Sequence, residues 1–190
     1  MALIRLHLGR SEKVLAYEFG VSPSTLYRVF LKWINYLYLH LGDIPIWPEW
    51  EQIEESMPAC FKDAFPTAFE VVYATEIWCE VPSSLSLLSK LYSAYKSHTT
   101  YKGLVTIAPN GAFIFVSQLY TGSISDRELT EKSGFLSLLQ DVPAGKSIMA
   151  DRGFDIQDLL AKHNILLNIE HFENQRLHIR RLVKLYRLKR

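Results

Sequence analysis

YKGLVTIAPNGAFIFVSQLY, residues 101–120, decides the fold. Two runs rich in apolar, β-branched and aromatic residues, 104–108 and 112–119, flank Pro109-Asn110-Gly111. An Asn-Gly pair between such runs is a strong hairpin signal, because both residues tolerate the positive φ that a tight reversal demands. Working outward toward the N-terminus, FEVVYATEIWC (69–79) has the same texture and predicts another strand. Toward the C-terminus, residues 126–139 predict a helix and Pro143-Ala144-Gly145 a turn. Residues 147–150 then predict a short buried strand ending at Asp151, 155–163 a helix, 165–169 a strand, and the tail a further helix. The order is strand, hairpin, helix, strand, helix, strand, helix, without internal repeat. It predicts an α/β fold built on a mixed sheet with flanking helices.

Ahead of this sheet the pattern is purely helical. Ser11 can cap a helix through Val14, Leu15 and Phe19 that stops at Gly20. Ser22-Pro23 offers a second cap with proline in the first helical position. Leu26, Val29, Phe30, Trp33, Leu37 and Leu41 follow at helical spacing, and Gly42, Pro45 and Pro48 end the run. A short acidic helix is expected at 49–57, stopped by Pro58. A helix-turn-helix needs a small residue where its helices cross, a turn glycine and apolar residues that fix the angle. Ala16, Gly20 and Val21 fall at those places, with Leu15, Phe19, Leu26 and Val29 as the expected buried set. Ser24, Thr25, Tyr27, Arg28 and Lys32 would face outward, with Arg28 and Lys32 four apart on one face, as phosphate contacts require. The other reading is a helical hairpin with both cations merely solvated. Residues 1–41 hold five bases and two acids, so this segment alone would bind DNA weakly and with strong salt dependence. The domains expected are 1–42 (helix-turn-helix), 43–68 (linker with a short helix) and 69–190 (the sheet domain).

The net charge of +1 conceals an asymmetry. Residues 176–190 carry +7 and no acid, leaving −6 on the rest, with Asp43, Glu49, Glu51, Glu54 and Glu55 preceding Lys62. The basic tail suits an anionic partner or a nuclear address, or it packs its leucines and leaves its charges in water. Cys60 and Cys79 are too few and too distant for a disulfide framework or zinc site, which fits a reduced intracellular compartment. No stretch is long and apolar enough to span a membrane. MALIRLHLGR lacks the apolar core of a secretory signal. It begins like the middle of a helix, suggesting a partial reading frame.

Several motifs occur together and in order: LAYEFGVSPSTLYRVFLKWINYLY (15–38), MPACFKDAFP (57–66), YATEIWCEVPSSL (73–85), TIAPNGA (106–112), GSISDRELTE (122–131), ADRGFDI (150–156) and RLHIRR (176–181). On these the chain, from about residue 3 to residue 180, resembles the DDE-superfamily endonucleases. These are transposase-derived proteins, often found beside THAP domains, with a preceding transposase helix-turn-helix. The resemblance implies a ribonuclease-H-like fold, DNA as partner, a nuclear location, and phosphodiester cutting with Mg²⁺ or Mn²⁺. Such a site holds two divalent cations about 4 Å apart between carboxylates, one activating the attacking oxygen and the other stabilising the leaving one.

The resemblance implies three acids. The first belongs two residues before Thr75-Glu76, where this chain has Tyr73. The second is Asp151. The third belongs in the C-terminal helix at Arg180, and the loop leading there, Phe172 to Gln175, is shortened. Tyrosine is neutral at pH 7 and cannot bridge two metals. Arginine for glutamate changes the local charge by two units, when one unit-charge pair at 4 Å is worth about 4 kcal/mol at an effective dielectric of 20. Glu76 lies an odd number of residues from Tyr73, so a regular strand puts it on the opposite face. Asp126 fits a helix N-cap better than a ligand. Glu170 and Glu173 are the remaining substitutes. Lys96 and Lys102, with Tyr95 and His98, match basic positions that lie along the DNA path in the family, or else form a solvated strand edge. The leading expectation is a transposase-derived protein with degraded cutting. The alternatives are an active metal-dependent nuclease using Asp151 and a relocated acid such as Glu173, a non-catalytic protein-interaction module, and a poorly folding fragment.

Overall fold

The computed structural model describes residues 1–42, 44–151 and 153–169. Arg180, Glu170, Glu173, the shortened loop and the basic tail helix lie outside the described residues. The chain divides into two compact units, Met1–Pro45 and a second beginning at Ile46.

The first unit holds α1 (Ala2–Leu8), α2 (Glu12–Glu18) and α3 (Pro23–Leu41). The Ser11 hydroxyl accepts from the Val14 amide and the Ser22 hydroxyl from the Thr25 amide, each satisfying a helix-start donor that would otherwise lack a partner. Between α2 and α3, Gly20 sits at φ 62°, in the left-handed region where a side chain is strained. The small core is Leu15, Ala16 and Leu26, with Ile4 and Val21 packed against it. Two members of the expected set do not join it. Phe19 caps the C-terminus of α2, where the backbone leaves the helix, and is exposed, while Val29 is only half-buried. Of the α3 apolar stripe only Leu26 is buried, and Trp33 and Leu41 face solvent.

The second unit begins with α4 (Trp50–Ser56) and α5 (Ala59–Ala64), followed by β1 (Ala68–Trp78), α6 (Leu85–Leu91), β2 (Tyr92–Ser93), β3 (His98–Ile107), β4 (Phe113–Val116) and β5 (Tyr120–Thr121). α7 (Asp126–Lys132), α8 (Phe135–Leu138), β6 (Ser147–Ala150), α9 (Gln157–Ala161) and β7 (Leu166–Ile169) complete it. The sheet order is β2-β3-β1-β6-β7, with β4 and β5 also pairing β3. β1 runs antiparallel to β3 and parallel to β6, and β6 parallel to β7, so the sheet is mixed as expected. The hairpin forms where predicted: Gly111, at φ 87°, donates to the Ala108 carbonyl, and the Asn110 side chain accepts from the Ala112 amide.

Phe69, Val72, Leu104, Phe135, Ile148 and Leu160 centre the core. Trp50 and Trp47, from the segment preceding the sheet, pack edge-on against Phe69 and Phe135. Each such side chain removed from water contributes about 1.5–3 kcal/mol. Two expectations are corrected. The helix over 126–139 is broken at Gly134, whose φ of 82° leaves α7, α8 and a 3-10 turn at Leu139–Asp141. β3 starts at His98, not at 104, because its polar first half is held by pairing with β1.

Candidate functional site

β6 stops at Ala150, which pairs with Val72. The next residue on each strand is Asp151 and Tyr73, so parallel pairing sets the carboxylate and the phenol side by side at the mouth of a cleft of about 500 Å³. Beyond Val72, β1 has no partner on its β6 edge among the described residues, and the cleft is lined by consecutive residues of that strand, Tyr73 to Glu76. The Tyr73 hydroxyl is buried, with no hydrogen-bond partner among the described residues. Burial, aided by the negative charge of Asp151, pushes its ionisation up to about 12. The phenol therefore stays neutral at any physiological pH. Asp151 itself is exposed.

A second pair faces the same cleft. Lys102 Nζ stands 2.6 Å from Asp126 Oδ1 and also donates to the Ile124 carbonyl at 3.2 Å. Asp126 can point there because it does not cap α7. Ser125 does, its hydroxyl accepting from the Glu128 amide at 3.1 Å. Gly122 lets the chain reach this position. It donates to the Thr100 carbonyl, and a Cβ there would come within 2.6 Å of the Leu91 carbonyl oxygen. On the same pleat face as Lys102, Glu76 accepts from the Thr100 hydroxyl at 2.8 Å.

The loop after Asp151 is fixed against α7. Arg127 grips Asp158 through two contacts at 2.6 and 2.5 Å and donates to the Asp155 carbonyl at 2.8 Å. The guanidinium holds the Asp158 carboxyl down to about 2. A Cβ on Gly153 would lie 3.0 Å from Asp126 Oδ2, so the two arms of the cleft approach closely. Lys96 and Tyr95 line its rim, the ammonium 4.5 Å above the phenol ring.

The structure thus brings Tyr73, Asp151, Lys96 and Lys102 to one place. Arg28 and Lys32 are exposed on α3 of the first unit. Asp126, expected as an N-cap, is a cleft residue instead. The signal was present: Ser125 followed at three residues by Glu128 is the pattern of a capping box, which places the cap one residue earlier. Lys102 is not a free cation on a strand edge but the partner of Asp126.

A mixed sheet with a carboxylate at the end of the parallel strand beside β1, preceded by a helix-turn-helix, defines a transposase-derived protein of ribonuclease-H-like fold. The model for the DDE superfamily endonucleases matches residues 72–184, and the model for the helix-turn-helix of that superfamily matches residues 1–43. The chain belongs to the DDE superfamily of endonucleases. Neither curated proteins nor solved structures gave a match.

Endonucleases of this superfamily generally use divalent metals. Hard cations require oxygen donors that carry charge. Among the described residues no three His, Cys, Asp or Glu side chains come together as metal ligands. Among the described residues the cleft offers the Asp151 carboxylate, a neutral phenol, Glu76, which accepts from the Thr100 hydroxyl, and Asp126, already matched by an ammonium at 2.6 Å. With no three of them gathered on one point, these described donors do not fit a pair of divalent cations.

Proposed function

We propose that the chain is a DNA-binding descendant of a DDE transposase in which phosphodiester cutting has been lost. The observation that carries this reading is Tyr73 beside Asp151, a buried phenol that remains neutral where a two-metal site needs a charged bridge. The resemblance puts the first catalytic acid at Tyr73 and the third at Arg180, so Asp151 alone of the three is retained. Lys102 works in the same direction: a divalent ion approaching Asp126 meets an ammonium already in place. DNA contact is assigned to Arg28 and Lys32 on α3 and to Lys96 at the cleft rim, all exposed. Phosphate contacts of this kind give affinity that falls steeply with salt.

Two measurements test the reading. A nicking assay on supercoiled DNA with Mg²⁺ or Mn²⁺ is expected to show no cutting above that of Asp151→Ala. Cutting that disappears in Asp151→Ala would establish a working nuclease instead. Gel shifts with duplex DNA are expected to show binding at low salt that weakens sharply toward physiological salt. No shift even at low salt would remove DNA as the partner and favour a protein-interaction module.

A further inference from the structure

Past Val72, where its pairing with β6 ends, β1 continues as a ribbon that among the described residues pairs with β3 alone, and Trp78 stands at its far end. Trp78 is 66% exposed. Its indole lies against the His98 imidazole, the ring centroids 4.5 Å apart and the planes 21° from parallel. His98 is itself fixed, with Nδ1 3.0 Å from the Thr99 carbonyl oxygen. Pleating puts Trp78 on the same face as Glu76 and Lys102, about 7 Å along the strand from Glu76. Tyr95, 80% exposed, presents a second flat ring at the cleft rim, with Lys96 above it.

The stretch of chain that carries Tyr95 and His98 is basic. From residue 81 to residue 125 the chain holds Lys90, Lys96 and Lys102 and not one acid. Lys102 is matched by Asp126, while Lys90 and Lys96 are exposed. Of the two acids on the Trp78 side, Glu76 is bonded by Thr100 and Glu80 is exposed. Fixed aromatic faces beside exposed cations are what a strand with unpaired bases requires, the rings taking the bases and the cations the phosphates. A duplex keeps its base faces stacked inside and presents only edges in its grooves, so it has no use for such faces.

We propose that the β1–β3 ribbon, through Trp78 backed by His98, and the turn between β2 and β3, through Tyr95 with Lys96, form a stacking platform for unpaired bases of single-stranded DNA adjoining the cleft. This rests on the reading of the chain as a DNA-binding protein. The test uses the full chain and fluorescence anisotropy at low salt with two labelled probes, a blunt duplex and the same duplex carrying a single-stranded oligo(dT) tail. The tail is expected to tighten binding. Trp78→Ala is expected to remove about tenfold of affinity for the tailed probe, equivalent to about 1.4 kcal/mol, and to leave the blunt probe unchanged. Trp78→Phe, which keeps a ring, retains most of the gain.

The platform is overturned if Trp78→Ala binds the tailed probe as tightly as the parent, or weakens both probes equally. A parent that binds the blunt duplex but gains nothing from the tail overturns the platform alone. A parent that binds neither probe overturns the DNA reading together with it. His98→Ala keeps the test decisive should Trp78→Ala fold poorly: losing the support behind the indole is expected to reduce the gain from the tail, and an undiminished gain counts against the platform.

Discussion

Residues 68–72 and 73–78 belong to one strand but live under different rules. The first stretch pairs with β6 and sinks into the core; the second, among the described residues, pairs with β3 alone and faces the cleft or solvent. The contrast is sharpest at two residues three positions apart. Glu70 is completely buried, and neither carboxylate oxygen has a hydrogen-bond partner among the described residues. Burial drives its carboxyl well above the usual glutamate value of 4.5, an effect the nearby Thr106 hydroxyl only partly offsets. Tyr73 stands next to the Asp151 carboxylate and carries no charge at all. β1 therefore keeps an acid where water is excluded and a neutral phenol where it meets the cleft. The lesson is that surroundings, not residue type, decide what a titratable group can do.

Four substitutions along this strand probe the contrast. Phe69→Ala empties a fully buried site and is expected to lower stability by about 3–5 kcal/mol, read as a fall in the urea midpoint. A drop under about 1 kcal/mol would mean the first half is not the anchor described here.

Glu70 comes next. Its carboxyl is protonated in the folded state at pH values where the unfolded chain has already released the proton. Stability is then fully present below the usual glutamate range and lost as pH rises toward the folded-state value, by up to about 1.4 kcal/mol per pH unit. Glu70→Gln is expected to abolish that slope, leaving the variant more stable than the parent near pH 7. Parent and variant melting curves that change with pH in parallel would show that Glu70 is not the source.

Tyr73→Phe removes a buried hydroxyl without a partner and is expected to raise stability by up to about 1 kcal/mol. A loss of that size would reveal a bond to the hydroxyl. Trp78→Ala, although it deletes a larger side chain than Phe69→Ala, is expected to shift stability by no more than about 0.5 kcal/mol, because the indole is mostly in water. A loss comparable to that of Phe69→Ala would erase the distinction between the two halves.

Much of this architecture is legible in the sequence because it rests on local chemistry. Ser11, Ser22-Pro23, Gly20 and Asn110-Gly111 each specify a backbone conformation within a few residues, and each forms as read. What escapes is set by distant partners. His98 to Gly103 is a polar run that becomes strand only because β1 lies beside it. α6, β2 and β5 are short and take their form from neighbours on the same sheet. Gly134 looks like one more residue of a helical pattern until its positive φ ends α7. At the site, the adjacency of Tyr73 and Asp151 follows from the resemblance, whereas the Lys102–Asp126 pair joins residues 24 apart in the chain and depends on how β3 and α7 pack. Sequence spacing carries no trace of it.

That pair has a consequence for the chain's chemical habits. A pocket lined with carboxylates is ordinarily a place of mutual repulsion, relieved only when ions from the surroundings settle into it. Here the relief is built into the polypeptide: Lys102 reaches Asp126 from the neighbouring strand and stays there. At Asp126 the protein has in effect internalised its counter-ion, so this carboxylate does not draw one from solution.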